Sequence, residues 1–306
     1  MPNLLVRVVI LNFNQPHYTI KCIESIREQN YSDIDIVIVD NGSKSNNIQL
    51  LENGITEDII LIKTEKNIGY AAGNNIGCKS IQILNEPDFY FILNNDTVLV
   101  DSNCISNMIL SLTKDQYAAA ISPLINTIST SIDVRNQIQV RKILSKNKLF
   151  ISNGSLLRRT PIGKKIFNSF IYKSYQPFEK KNYIVDTING AAFIIKGDIF
   201  RKIGLFDEGT FLYNEELILG NQIKNLGMHC LLSGFSEIIH YQGISTKQSG
   251  KILKWEMTSF KIDSELYLYK KYYFASRYYL NFVRMFRIME YFIKSFLNKF
   301  DRKQSE

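Results

Sequence analysis

The chain has 306 residues, of which 45% are hydrophobic and 22% charged, and its formal net charge is +8. This length allows a full hydrophobic core in one or two domains, and the composition is that of an ordinary globular protein. Residues 1–250 carry a net charge of only +2, whereas residues 251–306 hold twelve Lys and Arg against six Asp and Glu. The basic character therefore belongs to the C-terminal segment.

The sequence also argues against several kinds of site and segment. The four cysteines lie far apart without C-x-x-C spacing, so neither a zinc site nor a disulfide framework is indicated, and a reducing compartment is favoured. The N-terminus lacks a signal-peptide pattern, and no run reaches about 18 uninterrupted apolar residues. We therefore expect a soluble or peripheral intracellular protein without a transmembrane helix.

Strand and helix signals alternate from the N-terminus, which predicts an α/β fold with a mostly parallel central sheet and helices on its faces. In chain order, strands are expected over residues 6–11, 34–39, 59–63, 89–93 and 118–122. Helices are expected over residues 16–29, 46–52 and 105–112, and another continues the segment 67–77 to about residue 83.

The second half is less regular. Residues 126–183 show no clean period, and we interpret them as a variable excursion with loops over the site. Order returns over residues 185–195, which contain Asn189 and Gly190. Helices are then predicted over residues 198–203 and 215–226, and short strands over residues 229–232 and 237–240.

Three of the predicted strands end in short polar side chains. These are Asn12 and Asn14 after the first strand, Asp40 after the second, and Asn94, Asn95 and Asp96 after the strand 89–93. Because the carboxyl ends of parallel strands share one edge of a sheet, these groups can converge on a ligand crevice. A carboxylate there is suited to a divalent cation, and an Asx-rich turn is the structural alternative.

Three glycines recur at four-residue spacing in the segment 67–77. Gly69, Gly73 and Gly77 fall on one helical face, where they would let the helix pack closely onto the sheet. The segment has neither a Walker lysine nor a G-x-G-x-x-G pattern, which argues against a phosphate loop. Asn74 and Asn75 are the better ligand candidates.

Four motifs stand in order along the chain: VILNFN at residues 9–14, VDNGS at 39–43, NIGYAAGNN at 67–75 and LNNDT at 93–97. Together they resemble family 2 of the inverting nucleotide-sugar glycosyltransferases, in particular the bacterial rhamnosyltransferase-like branch. The resemblance covers roughly residues 5–245. It implies a GT-A fold with a nucleotide-binding half at about 1–125 and an acceptor half at about 126–250, ahead of a helical tail at 251–306.

The resemblance assigns roles in donor binding to the strand ends. Asp40 matches the carboxylate that reads the pyrimidine base, and Asp96 matches the last acid of the D-x-D motif, which holds Mg²⁺ or Mn²⁺ against the donor diphosphate. Asn94 stands where many relatives have the first Asp, so fewer protein charges face the metal. Asn189 and Gly190 match the segment that lines the donor sugar.

The resemblance also proposes a catalytic base. Inversion requires a base on the face opposite the diphosphate, and Glu216 occupies the catalytic Asp position of the family. Glu215 would be a positioning residue or a helix cap, and both acids also suit the first turn of a helix. Ile218 replaces a second Asp of many relatives. His240 matches a family position in contact with the metal or diphosphate, and a structural role is the alternative.

The C-terminal segment alternates aromatic and basic residues. From Phe282 to Phe296 the apolar side chains recur at helical spacing among Arg and Lys, as in a basic amphipathic helix that lies in a membrane interface. A helix packed onto the catalytic domain is the alternative. A nucleic-acid patch has no supporting motif.

These observations predict a metal-dependent, inverting glycosyltransferase. It would move rhamnose from dTDP-rhamnose to a lipid-linked glycan acceptor in surface polysaccharide synthesis, on the cytoplasmic face of the membrane. The alternatives are a UDP-hexose or UDP-N-acetylhexosamine donor, a degenerate homologue that only binds nucleotide sugar, and a nucleotidyltransferase. The last would need a Gly-rich, basic phosphate loop after the first strand, which is absent from the sequence.

Overall fold

The computed structural model describes residues 4–80, 85–128, 139–172, 179–241 and 255–303. The strands are β1 (Val6–Asn12), β2 (Ile34–Asp40), β3 (Ile60–Lys63), β4 (Phe89–Asn94), β5 (Thr97–Leu99), β6 (Ala118–Thr127), β7 (Asn182–Val185), β8 (Ala192–Lys196) and β9 (His229–His240). The helices are α1 (Pro16–Arg27), α2 (Ser45–Gly54), α3 (Tyr70–Cys78), α4 (Cys104–Lys114), α5 (Lys146–Asn153), α6 (Pro161–Phe170), α7 (Gly197–Lys202), α8 (Glu215–Asn225), α9 (Trp255–Tyr272) and α10 (Arg277–Lys303). A 3₁₀ turn (Leu157–Arg159) lies between α5 and α6.

The described strands form one sheet in the order β3-β2-β1-β4-β8-β6-β9-β5, with β7 paired to β9. The pairs β3–β2, β2–β1 and β1–β4 are parallel, whereas β8 runs antiparallel to both β4 and β6. The α/β fold is confirmed, but the sheet is mixed and not mostly parallel, since β5 and β7 are antiparallel to β9 as well. A strand buried on both faces reads as an apolar run in either direction, so the sequence did not reveal this.

Hydrophobic clusters cover both faces of the sheet. Val8 and Ile10 of β1 pack with α1 and α4, whereas Val9 packs on the opposite face with α3, α7 and α8. This alternation follows from the two-residue period of a strand. The α3 glycines allow close packing, as predicted, because a Cβ at Gly77 would lie 2.5 Å from Cγ1 of Val9.

Several expectations need correction. Residues 126–183 contain two helices, α5 and α6, the second capped by Thr160, which accepts from Gly163 N at 3.0 Å. The ordered segment expected over residues 185–195 contains the end of β7 at Val185 and the start of β8 at Ala192. The strands expected at 229–232 and 237–240 are one strand, β9, with a register shift against β6. α3 ends at Cys78, and residues 81–84, to which its helix was expected to extend, lie outside the described residues.

The C-terminal segment forms two helices that pack on α5 and α8. Leu268 and Tyr269 of α9 and Val283 of α10 join a hydrophobic cluster with α5 and α8. The two helices are joined by a buried ion pair between Arg287 Nε and Glu265 Oε2 at 2.8 Å. The helix predicted from Phe282 to Phe296 is confirmed as part of α10. None of the described helices is long and apolar enough to cross a membrane.

Candidate functional site

The ends of β1 and β2 are joined by their polar side chains. Asn12 and Asp40 are register partners, and Asn12 Nδ2 donates to Asp40 Oδ1 at 2.6 Å. The other carboxylate oxygen of Asp40 accepts from Ser43 N at 3.0 Å. Both side chains are fully buried. Asp40 therefore supports the loop after β2, and base reading by its carboxylate is not supported by this geometry.

Asn95 extends the same network. Its Nδ2 lies 3.3 Å from Asn12 Oδ1 and 3.1 Å from Thr19 Oγ1. Asn14 joins this network through its main chain, because its N donates to Ser43 Oγ at 2.7 Å, and Asn12 Nδ2 donates to the same oxygen at 3.3 Å. The left-handed backbone of Asn14, with φ of 57°, lets its Oδ1 accept from Lys44 N at 2.8 Å. The expected convergence of the strand ends is observed, and most of the converging groups bind one another.

Asp96 and His240 form a separate pair at the next strand end. Thr97 pairs with His240 in the β5–β9 ladder, and this places His240 Nε2 3.0 Å from Asp96 Oδ1. The main chain is tied as well, since Tyr241 N donates to Asp96 O at 2.8 Å. Both side chains retain a small exposed fraction, 9% for Asp96 and 11% for His240. The two residues expected to bind metal therefore do lie together.

The geometry of this pair is compatible with a divalent cation. Ligands about 2.1 Å from an octahedral ion lie about 3.0 Å apart when they are adjacent. That matches the 3.0 Å separation of Asp96 Oδ1 and His240 Nε2. No group of three or more His, Cys, Asp or Glu suited to a metal occurs within the described ranges. Two protein ligands suffice only if substrate phosphates and water supply the others, as is usual for Mg²⁺.

Asn94 connects this pair to the segment before β8. Its main-chain N donates to Ala191 O at 2.8 Å. Its side chain is half-buried and makes no hydrogen bond to the described residues. Asn94 is thus a strand-end side chain that remains available to a ligand.

The two asparagines of α3 have different surroundings. Asn75 is committed to the loop before α8, because its Nδ2 donates to Phe206 O at 2.9 Å and its Oδ1 accepts from Phe206 N at 3.0 Å. Asn74 donates to Tyr70 O at 2.9 Å, but its buried Oδ1 has no partner. Of the two predicted ligands, only Asn74 keeps a free polar atom.

Glu216, in the first turn of α8, lies against Gly190, which stands two residues before β8. A Cβ at Gly190 would be 2.8 Å from Glu216 Oε1, so the missing side chain leaves space for the carboxylate. Gly190 is held in place by Tyr70, whose hydroxyl donates to Gly190 O at 2.7 Å. Glu216 is half-buried and has no hydrogen-bond or ion-pair partner among the described residues. Its carboxylate is therefore available to a substrate.

Glu215 has a different environment from its neighbour. It is buried beside Thr210, whose Oγ1 lies 3.5 Å from Glu215 Oε1. Burial, with the nearby Glu216 carboxylate as a second cause, raises the pKa of Glu215 to about 8. Burial therefore favours the neutral form of Glu215.

The loop before these acids is strained. Tyr213 and Asn214 have φ of 80° and 70°, a region that side chains larger than glycine rarely adopt. The start of α3 packs on this loop, since Phe211 O accepts from Tyr70 N at 2.9 Å. Sequence reasoning overlooked Tyr70, although its place in the NIGYAAGNN motif was a signal that could have marked it.

Asn189 is tied to its own loop. Its Nδ2 donates to Gln139 O at 2.7 Å and its Oδ1 accepts from Ala191 N at 3.0 Å. Its side chain therefore shapes the turn that presents Gly190, and the structure does not support a direct contact with a donor sugar.

Comparison with known proteins identifies a family that matches most of the chain. The profile of the family described as "Glycosyl transferase family 2" matches residues 7–200. An N-acetylglucosaminyl-diphospho-decaprenol L-rhamnosyltransferase of Mycobacterium tuberculosis is 22% identical over 219 residues, which cover 70% of this chain and 68% of that protein. An uncharacterized glycosyltransferase of Haemophilus influenzae is 29% identical over 121 residues, or 37% of this chain and 47% of that protein.

A teichoic acid poly(glycerol phosphate) polymerase of Staphylococcus epidermidis is 27% identical over 88 residues, which cover 28% of this chain and only 12% of the polymerase. Two of these curated relatives are thus matched over less than half of their length, as is GlyG of Streptococcus pneumoniae at 25%.

Solved structures show the same fold at low sequence identity. The mannosyltransferase PcManGT of Pyrobaculum calidifontis, in complex with GDP-Man and Mn²⁺, has a TM-score of 0.54 at 12% identity and covers 88% of this chain and 63% of its own. GalNAc-T7, with UDP, GalNAc and Mn²⁺, has a TM-score of 0.58 at 18% identity and covers 94% and 55%.

Proposed function

The chain belongs to glycosyl transferase family 2, and we propose that it transfers rhamnose from dTDP-rhamnose to a lipid-linked glycan acceptor with inversion at the anomeric carbon. The observation that carries this proposal is the position of residues 190–191. Ala191 O binds the main chain of Asn94, next to Asp96, and Gly190 lies against Glu216. A donor sugar along this segment would have the proposed metal ligands Asp96 and His240 at one end and the carboxylate of Glu216 at the other.

In the proposed reaction, Glu216 accepts the proton of the acceptor hydroxyl while the oxygen of that hydroxyl forms a bond to the anomeric carbon. The bond from that carbon to the diphosphate breaks, and the nucleoside diphosphate leaves with the electron pair. Tyr70 positions Gly190 and thereby the sugar segment. Asp96 and His240 are the residues that would hold Mg²⁺ or Mn²⁺, which stabilises negative charge on the leaving diphosphate.

The donor assignment rests on the mycobacterial rhamnosyltransferase, to which the chain is similar over 70% of its length. A UDP-hexose or UDP-N-acetylhexosamine donor is the alternative. The proposed organisation has the donor-binding half at about residues 1–125, the acceptor half at about 126–250 and the helical pair after residue 250.

A catalytically inactive homologue is less favoured by the structure. Ile218, which replaces an Asp of many relatives, packs in the hydrophobic cluster shared by α8, α9 and α10 and not beside Gly190. Its replacement therefore removes no group next to Glu216. Near the proposed metal site, Asn94 stands where many relatives have an Asp, and Asp96 is a carboxylate that could still hold the cation.

Membrane association through α10 is part of the proposal. Its exposed apolar residues include Met285, Phe292 and Phe296, with exposed fractions of 72%, 62% and 61%. An apolar helical face flanked by Arg and Lys suits the interface of an anionic leaflet. Replacing all three with Ser should reduce cosedimentation with phosphatidylglycerol vesicles without lowering thermal stability. Equal binding of the variant and the wild type would contradict this role.

The activity is tested by release of nucleotide diphosphate from dTDP-rhamnose and a panel of UDP-sugars, with and without Mn²⁺, in the presence of a prenyl-diphosphate-linked sugar acceptor. We expect metal-dependent release from one donor only in the presence of acceptor. The absence of turnover with every donor would contradict the enzyme assignment, and turnover restricted to a UDP-sugar would replace rhamnose.

A further inference from the structure

Five basic side chains from separate segments lie near enough to act on one another electrostatically. They are Arg141 before α5, Arg158 and Arg159 in the 3₁₀ turn, Lys261 of α9 and Lys294 of α10, here called the cationic cluster. Arg158 and Arg141 are linked through α6, where they lie 4.9 Å and 5.8 Å from the ring centroids of Phe167 and Phe170, which are 6.5 Å apart. Lys261 Nζ lies 4.8 Å from the ring centroid of Tyr213, in the strained loop that leads to Glu216. The cluster therefore borders the loop that carries the proposed base.

A second connection reaches the site through Arg141. Its main-chain N donates to Thr187 Oγ1 at 3.1 Å, and Thr187 Oγ1 donates to Arg141 O at 2.9 Å. Thr187 stands three residues before Gly190. On the other side, Leu156 N donates to Glu290 Oε1 at 2.9 Å, which fixes the 3₁₀ turn against α10 one helical turn before Lys294.

Three other basic residues of α9 and α10 have carboxylate partners, whereas the cluster residues, like the exposed Lys270 and Arg277, make no ion pair with the described residues. Lys271 pairs with Asp207 at 2.8 Å, Arg284 with Asp263 at 3.4 Å, and Arg287 with Glu265 at 2.8 Å. Within the described part of the chain, none of the five cluster residues makes an ion pair. Lys294 also lies near Glu290, but that carboxylate is bound to Arg287 at 2.8 Å.

The positive charges of the cluster disfavour one another. Partial burial and then the neighbouring Lys294, Arg158 and Arg141 charges lower the pKa of Lys261. Burial lowers the pKa of Lys294 too, and Arg158 and Arg159 add to that effect while Glu290 opposes it. Unpaired like charges that disfavour one another are stabilised by a bound anion.

We propose that the cationic cluster binds the phosphate or diphosphate group of a lipid-linked acceptor, while the acceptor sugar reaches Glu216. This inference rests on the proposed function, because it deepens the identity of the acceptor. Arg158 and Arg159 supply planar donors suited to phosphate oxygens. The exposed apolar residues Phe292, Ile293 and Phe296 flank Lys294 and provide a surface for the hydrocarbon chain.

The test measures binding of farnesyl diphosphate to the full chain by isothermal titration calorimetry in EDTA, so that a metal at Asp96 cannot contribute. The variant is Lys261→Gln with Lys294→Gln. The control is Lys270→Gln with Arg277→Gln, which removes the same charge from exposed positions. Lys270 is nine residues after Lys261 and thus on the opposite face of α9.

We expect the cluster variant to bind farnesyl diphosphate at least about 10-fold more weakly, the equivalent of about 1.4 kcal/mol, and the control to change less than about 3-fold. An equal loss in the control would mean general attraction of anions and would overturn the proposal. Unchanged binding in the cluster variant, with loss only of phosphatidylglycerol vesicle binding, would assign the cluster to membrane headgroups and overturn it too.

The same variants separate this proposal from the proposed function. Binding of dTDP in Mn²⁺ should be unaffected by the cluster substitutions. If no donor supports transfer but farnesyl diphosphate binding depends on the cluster, the proposed function fails and the anion site stands. If transfer occurs while the cluster variant keeps its affinity for farnesyl diphosphate and its KM for acceptor, only the anion site is overturned.

Discussion

The polar groups at the strand ends and those on the acceptor side are arranged in opposite ways. Asn12, Asp40 and Asn95 are buried and bind one another, so their polar atoms are used within the protein. The carboxylate of Glu216 and the charged ends of the cationic cluster make no ion pair or hydrogen bond with the described residues.

The difference indicates which polar residues carry the fold and which can bind a ligand. A buried polar group without a partner costs about 1–3 kcal/mol, so a network such as that of Asn12 must be complete before any substrate arrives. A group kept unpaired at a half-exposed position can instead exchange water for a substrate. The following predictions test that division, beginning with the largest expected effect.

Glu216→Gln should reduce glycosyl transfer by about 10²- to 10⁴-fold, because the amide cannot accept the proton of the acceptor hydroxyl. Nucleotide affinity and melting temperature should be unchanged. The matched control is Glu215→Gln, which replaces an acid whose neutral form burial already favours and should retain transfer within about 10-fold. Near-normal turnover by Glu216→Gln would remove it as the base.

Asp96→Asn should weaken Mn²⁺-dependent binding of nucleotide diphosphate by at least about 10-fold, since an amide carries no charge for the metal. The chain provides a matched control in Asp115, which lies 2.9 Å from His229 in a similar pair at the surface. Asp115→Asn should leave metal-dependent binding intact in a fluorescence titration. Equal effects of the two substitutions would argue against a metal at Asp96.

Asn75→Ala should lower the free energy of unfolding by about 2 kcal/mol, because the main-chain N and O of Phe206 lose their partner. Asn74→Ala, one residue away, should change stability by less than about 1 kcal/mol and weaken donor binding instead, since its buried Oδ1 is unpaired. Urea unfolding and donor titration of both variants measure this contrast. A stable Asn75→Ala with weak donor binding would reverse the assignment.

Gly190→Ala should reduce transfer by about 10-fold, since the new Cβ displaces the Glu216 carboxylate. The atom it meets is the end of a flexible side chain, so stability should fall by less than about 1 kcal/mol. Gly204→Ala is an unsuitable control because φ is +85° there. Unchanged kinetics in Gly190→Ala would contradict the close approach.

The local sequence predicted most of the strands and helices and the clustering of the polar strand ends. β-branched runs such as Val6–Asn12 produced strands, and the polar residues after them met at one edge as expected. It did not foretell that Asp40 and Asn95 would bind Asn12, because a side chain that binds a neighbour and one that binds a ligand are the same residue in the same motif.

The C-terminal helices show the same limit. Their aromatic and basic pattern predicted a helix, but it suits both packing on the protein and lying at a membrane. Tyr269 is buried in the cluster with α5 and α8, whereas Phe292 remains exposed. The sequence pattern does not distinguish these two aromatic residues, and their burial depends on how α9 and α10 pack.

The sequence by itself determined most of the strand and helix segments, the order of the motifs and the identity of the charged groups. The tertiary structure decided that Asp96 meets His240, that Glu216 meets Gly190, and that Lys261 lies over the ring of Tyr213. The physical reason is that local propensity acts over neighbouring residues, whereas these contacts join segments separated by tens of residues, through a mixed sheet whose strand directions the apolar pattern does not encode.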